Sequence, residues 1–246
     1  MSIITPEIEY VDRSIESIRY LEHGWPSDLC RWHSHREFEL HLIVATRGKA
    51  FVGDYIGEFR PGSLFLTGPH LPHNWVTDEI TSRQVSTRDM LVQFDQESVN
   101  SLSLAFPEFD DMRPMFELAC SGIEFNGFDA KLVQRRLAEI RDSSGPARIL
   151  AFLQLLVEIN QHAEMRQLSV AAVTQPEDSN KHTRIASVVD HITQHFAEEI
   201  SLETAAELAC MSPTAFSRNF QKITGNRFLE FLNRVRVGQA CSMLYA

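Results

Sequence analysis

Two groups of residues in this 246-residue chain have the types and spacing to do chemistry. The first is Trp32-His33-Ser34-His35-Arg36-Glu37-Phe38-Glu39-Leu40-His41. Alternate residues of a strand share a face, so an extended run would line up His33, His35, Glu37, Glu39 and His41. Imidazoles and carboxylates on one face can hold a divalent cation or hydrogen-bond a polar small molecule. The second group is Ser212-Pro213-Thr214-Ala215-Phe216-Ser217-Arg218-Asn219-Phe220-Gln221-Lys222-Ile223. Phe216, Phe220 and Ile223 fall on one stripe of a helix, which leaves Thr214, Ser217, Arg218 and Gln221 outward. A helix with that polar edge can read base edges in a DNA major groove, and an arginine such as Arg218 can grip guanine through two acceptors. Ser212 and Pro213 open the helix, where free N–H groups suit a phosphate, and Lys222 and Arg227 are placed for phosphate.

The flanking sequence shows what must position each group. Ser212 is an N-cap, Pro213 sits at the first helical position, and Gly225 stops the helix. Before it, Ser201 caps a short helix, Leu202–Ala209, whose Leu202, Ala205, Ala206 and Ala209 face inward, so the pair reads as a helix-turn-helix. Arg184–Phe196 and Phe228–Leu244 are helices on either side. Up to about residue 94 the pattern is strand-like: Glu39–Ala45, Ala50–Val52, Ser63–Leu66 and Met90–Phe94 alternate with Gly, Pro and Asp punctuation, as in a sandwich or barrel. Val99–Phe106, Met112–Ala119, Asp129–Arg141 and Ala147–Arg166 then read as helices. The last is apolar on more than one face, which suits both closing its own domain and meeting a partner subunit. Thr174–Lys181 is polar, contains Pro176 and lacks an apolar anchor, so it reads as a linker.

Composition bounds the function. The chain is 43% apolar and 23% charged, ordinary for a globular protein with real cores. No stretch approaches the roughly eighteen apolar residues of a membrane helix, and the N-terminus lacks a secretory pattern, so no membrane partner is expected. Cys30, Cys120, Cys210 and Cys241 are far apart and read as free thiols in a reducing cytosol, hence a cytoplasmic protein. The net charge is −10, which by itself opposes nucleic acid. Its distribution does not: residues 1–180 hold 16 Lys and Arg against 27 Asp and Glu, whereas residues 181–246 hold 7 against 6. Within 212–236 the only acid is Glu230, beside Arg218, Lys222, Arg227, Arg234 and Arg236. No Ser-His-Asp or activated-Cys arrangement supports nucleophilic catalysis.

Two resemblances sharpen these readings. Ala215–Gly225, then Phe228-Leu229-Glu230-Phe231-Leu232-Asn233-Arg234-Val235-Arg236 and Ala240, resembles the first half of the AraC/XylS-type regulator DNA-binding domain. That implies double-stranded DNA as partner, with Thr214, Ser217 and Arg218 facing bases; Gln221 departs from the usual basic residue. The family's connecting helix leads to a second helix-turn-helix. The sequence stops at Ala246, before one, so the expected affinity is that of a single module. The run from His33 to Glu39, followed by Pro61-Gly62 and Pro72-His73, resembles the two cupin motifs. That implies a small β-barrel in which His33, His35, Glu39 and His73 would suit a divalent transition metal. The barrel-plus-reader arrangement resembles sensors that bind a small effector, often a sugar. In such a pocket His33, His35, Glu37, Glu39 and His73 would hydrogen-bond hydroxyls, with Trp75, Trp32 or Phe51 stacking on an apolar face. The histidines also fit as satisfied structural groups. The effector pocket is the preferred reading, and His23, His70, His182, His191 and His195 are read as having no site role.

The expected fold is α+β: a cupin-like sensing and dimerisation domain over 1–173 (barrel about 1–97, helices about 98–168), a linker at 174–181, and an all-α helix-turn-helix domain over 182–246. The expected function is that of an effector-responsive, homodimeric transcription regulator without enzymatic activity. The alternatives are a metal-dependent cupin enzyme and a shortened dimerisation partner that inhibits full-length regulators.

Overall fold

The computed structural model describes residues 16–26, 32–78, 83–170 and 179–244. The strands are β1 (Ile18–Trp25), β2 (Glu37–Ile43), β3 (Gly48–Val52), β4 (Tyr55–Phe59), β5 (Leu64–Thr67), β6 (His73–Thr77), β7 (Val85–Asp95), β8 (Ile123–Asn126) and β9 (Glu164–Gln167). The helices are α1 (Gln96–Ala105), α2 (Arg113–Ala119), α3 (Ala130–Asp142), α4 (Gly145–His162), α5 (Ser179–Gln194), α6 (Leu202–Leu208), α7 (Pro213–Thr224) and α8 (Phe228–Leu244). A six-stranded sheet runs β1-β7-β2-β5-β8-β9, and a three-stranded sheet runs β4-β3-β6. The chain is therefore α+β, with antiparallel sheets followed by a helical C-terminal part. No helix among the described residues is long and apolar enough to cross a membrane.

Each sheet is a wall between two environments, and strand periodicity builds it. On β2, Phe38, Leu40 and Leu42 join a core with Phe94, Phe116 and Phe152 beneath α2 and α4. The intervening Glu37, Glu39 and His41 point the other way and are equally buried. On β3 and β6, Ala50, Val52 and Trp75 pack with Ile43 and Phe65 of the larger sheet, so the two sheets face each other. The opposite face of the small sheet carries Phe51 and Val76, which pack with Ile185, Val188 and Phe231 of α5 and α8. The sensor-like and helical parts thus share one apolar cluster.

Three expectations change. Residues 33–41 are not one strand: β2 begins at Glu37, and His33 instead forms an isolated bridge with His73. The helix expected to reach Arg166 ends at His162, because residues 164–167 pair as β9 with β8. Met165 lies opposite Phe125 and Arg166 opposite Glu124, an apolar and an ionic cross-strand pair. The larger sheet therefore draws strands from beyond residue 97. Of the expected linker, 174–178 lie outside the described residues, and Ser179–Lys181 already belong to α5. Cys30 and the side chains of Cys241 and His182 also lie outside them, while Cys120 and Cys210 are free thiols.

Candidate DNA-reading face and buried histidine–glutamate centre

The helical hairpin is set by its caps. Ser201 accepts a hydrogen bond from the Thr204 N–H at 3.0 Å and opens α6. Ser212 accepts one from the Ala215 N–H at 3.3 Å and opens α7, with Pro213 next. Gly225, at φ 71°, closes α7 in the left-handed conformation that glycine adopts without a Cβ clash. Ala205, Ala206 and Ala209 are buried, which lets the helices approach closely. Phe216 and Phe220 are buried against Phe228, with ring centroids 5.6 and 5.8 Å away. Leu202 and Ile223, expected inside, are half-buried, and Thr224 takes an interior place, hydrogen-bonded to the Phe220 carbonyl at 2.8 Å.

With its aromatic side sealed, α7 turns the other side to solvent. Pro213, Thr214, Ser217, Arg218, Gln221 and Lys222 line one open concave surface together with Leu202. Ser212 lies exposed at its start and Arg227 exposed beyond its end. Sequence reasoning missed two cations of α5: Lys181 and Arg184 line an adjoining hollow with Arg218, Cys210 and Asn219. Their polar positions beside the apolar stripe of Ile185 and Val188 were the available signal. Arg234 and Arg236, counted in the cationic balance of 212–236, are committed elsewhere. Arg234 donates to the Asp54 carbonyl at 2.8 Å and Asn226 Oδ1 at 2.9 Å; Arg236 donates to the carbonyls of Phe196 and Glu198 at 2.9 and 2.7 Å.

The second group converges between the sheets. One donor atom from each of His33, His35, Glu39 and His73 lies within 4.8 Å of the others. Two reciprocal backbone hydrogen bonds, of 3.2 and 2.9 Å, tie His33 to His73. His73 Nδ1 meets the Leu71 carbonyl at 2.7 Å and His35 Nδ1 the Glu37 carbonyl at 3.1 Å. A ring nitrogen held by a carbonyl carries the proton, so His73 can direct an Nε2 lone pair at the centre, whereas His35 Nε2 lies at hydrogen-bond distance from Glu39 and would have to give up its proton to act as a ligand. His73 Nε2 is buried without a hydrogen-bond partner. Burial, followed by the charge of His33, holds the His73 pKa well below the usual range, which keeps the ring neutral and ligand-ready.

Glu39 is the anionic member. Burial would raise its pKa, but hydrogen bonds from His35 and His41 and the charge of His41 outweigh that and hold it well below the usual carboxylate range. Its carboxylate meets His41 Nδ1 at 2.8 Å, Gln93 Nε2 at 3.0 Å and His35 Nε2 at 3.2 Å. His41 bridges two carboxylates, with Nε2 3.2 Å from Asp89 Oδ2 at an ion-pair distance but without hydrogen-bond alignment. Burial lowers the His41 pKa, and Asp89 and Glu39 together overcome it and push it up to about 9. His23, assigned no site role from sequence, hydrogen-bonds Asp89 at 2.9 Å from the outer side. Gln93, Asp89 and His41 thus support the centre; only their place across β2 and β7 reveals it.

The stacking platforms expected for an effector are occupied. Trp75 is buried beneath His41, with ring centroids 4.0 Å apart and nearly parallel. Trp32 is buried between Phe51 and Phe231, at 6.4 and 6.2 Å, and its backbone N–H donates to Asp190 of α5 at 2.9 Å. Phe51 packs against Phe231 in turn. Glu37 is buried beside His35, 3.5 Å from its Nδ1, and accepts from Arg36 at 3.2 Å.

No family model matches the chain. The HTH-type transcriptional activator RhaS of Enterobacter sp. (strain 638) is 30% identical over 98 residues, which are 40% of this chain and 32% of that protein. The match therefore spans about a third of the curated relative's length. Among solved structures, ToxT from Vibrio cholerae aligns at 11% identity and a TM-score of 0.37, over 93% of this chain and 84% of that one. The AraC-like transcriptional activator CuxR aligns at 14% identity and a TM-score of 0.29, over 92% and 74%.

Proposed function

We propose that this chain is an AraC/XylS-type transcription regulator whose α6–α7 hairpin reads duplex DNA and whose barrel senses a divalent transition metal. The observation that carries the first part is the division of α7: phenylalanines sealed inside, and Thr214, Ser217, Arg218, Gln221 and Lys222 on one exposed surface. That is the arrangement of a helix made to enter a groove. Arg218 serves base recognition; Ser212, Pro213, Lys222 and Arg227, with Lys181 and Arg184, serve the phosphates. Arg218→Ala should weaken binding to a duplex selected by the wild-type protein from a random pool by about five- to a hundred-and-fiftyfold, the ~1–3 kcal/mol of a bidentate base contact. Unchanged affinity for that duplex would remove the reader assignment.

The metal reading rests on the orphaned lone pair of His73 and on the donor spread. Four tetrahedral donors with bonds of roughly 2.0–2.2 Å lie about 3.3–3.6 Å apart, so these side chains would have to draw in by about an ångström around a first-row cation. His33, His35, Glu39 and His73 would hold the ion, which supplies charge to the Glu39 carboxylate and a fixed orientation to the imidazoles. The occupied faces of Trp75, Trp32 and Phe51 favour this over a sugar-sized effector stacked on an aromatic ring.

The path to the reader is short. Trp32, one residue from His33, sits in the cluster with Phe231 and on Asp190, and β6 carries His73 on one face and Val76 on the other. A ligand that fixes His33 against His73 therefore biases how α5 and α8 dock on the small sheet. A homodimer is supported by α4, whose exposed Ala147, Leu150, Gln154, Val157 and Gln161 follow alternating spacings of three and four without one charge.

A further inference from the structure

We propose that the chain has a second small-molecule site, outside the barrel, that takes an uncharged amphiphile with a linear or ring hydrocarbon body. A cavity of about 340 Å³ lies between the outer face of the larger sheet and helices α1, α2 and α4. Its floor is made of the nearly inaccessible Phe94, Met112, Phe116, Phe152 and Leu156. Its mouth is made of half-buried residues, among them Ser17, Ser103, Phe109, Ile149 and Leu153. The size falls in the roughly 300–1,000 Å³ range of ligand pockets.

The lining fixes the chemistry. It comprises apolar side chains and serines, with no ionisable residue. Water in such a space finds too few polar partners, and a close-packed interior does not keep a void of this size without cost. An apolar body satisfies the floor. Ser17 and Ser103 line the partly exposed edge, where a hydroxyl or carbonyl head would emerge. A carboxylate or ammonium head would meet no counter-charge in the lining, and Arg148 and Glu16, next in the chain to Ile149 and Ser17, already pair with each other at 3.1 Å, so a charged head would be disfavoured.

The cavity also has a mechanical address. Phe94 forms part of its floor, while the adjacent Gln93 points through the sheet and donates to Glu39 at 3.0 Å. Phe94 stacks on Phe38 of β2, at 5.3 Å, a cross-strand contact that a bound molecule would brace. The site is distinct from the histidine–glutamate centre and stands whether or not that centre binds metal.

The test titrates the full chain with the neutral fluorophore N-phenyl-1-naphthylamine. Saturable one-to-one enhancement is expected, with displacement by 1-dodecanol about tenfold stronger than by dodecanoate. Leu153→Trp fills the mouth and should weaken probe binding about tenfold while leaving the melting temperature equal or higher. A photoreactive diazirine derivative of dodecanol should label peptides within residues 96–116 and 149–156, which reads the site even if the variant does not fold. No saturable binding, or labelling confined to other peptides, would overturn the site; equal displacement by dodecanoate would overturn the ligand class.

Discussion

Replacing Trp32 by alanine should separate the two halves of the molecule. Trp32 is 3% exposed and contacts Phe51 of the small sheet and Phe231 of α8 edge-on, at 6.4 and 6.2 Å. Removing a buried tryptophan costs about 3–5 kcal/mol, and the two aromatic contacts account for about 0.5–1.5 kcal/mol each beyond burial. The backbone hydrogen bond to Asp190 survives the substitution. Since the lost contacts bridge the sheet and the helices, most of the loss falls on docking, and about 3–5 kcal/mol is roughly two to three and a half decades in a docking equilibrium. Scanning calorimetry should show one transition for the wild type and two for Trp32→Ala, with the barrel's own transition nearly unmoved. A single transition displaced as a whole to lower temperature would mean that Trp32 is only barrel core, and the proposed path to the reader would fail.

The remaining expectations concern the centre and the dimer. Purified protein should bind about one divalent transition metal per chain by elemental analysis, and His73→Ala should abolish it; stoichiometric metal in that variant would refute the ligand set. The Asp89 carboxyl is pushed up by burial but held well below the usual range by His41, His23 and Arg88. Its stabilising effect is therefore present above its unfolded pKa of about 3.9 and is lost as pH falls through the lower folded value. Asp89→Asn should be destabilised by about 3–5 kcal/mol at neutral pH, the cost of stranding His41 and Arg88, with the deficit shrinking only in acid. Denaturant midpoints from pH 3 to 8 check this, and a deficit that grows in acid would contradict it. Leu150→Glu should convert a dimer into monomers in sedimentation, leaving the melting temperature nearly unchanged because Leu150 is 69% exposed.

The helical end was legible because its signals are local. Ser201, Ser212, Pro213 and Gly225 mark their helix ends, and Phe216 and Phe220 declare the buried side at the right period. The same rules could not show that Arg234 and Arg236 turn inward, since their partners Asp54, Phe196 and Glu198 are distant in sequence. The histidine–glutamate set was named from sequence, but its surroundings were not. Alternation put His41 on the Glu39 face, yet only the pairing of β2 with β7 brings Gln93 and Asp89 beside them. Strand β9 was hidden because Glu164–Gln167 is short, carries one apolar side chain and follows directly on a long helix, while its partner β8 lies about forty residues earlier. Trp32 looked like a stacking platform because its burial against Phe231 depends on the docking of the two halves.

The central claim is that Arg218, on the open face of α7, grips a guanine. A cycle between protein and DNA tests it directly: wild type and Arg218→Ala, each with the selected duplex and with the same duplex carrying 7-deazaguanine at one guanine at a time. At one position the missing N7 should weaken the wild type and leave the variant unaffected. Losses that simply add at every position would show that Arg218 touches no guanine and would contradict the account.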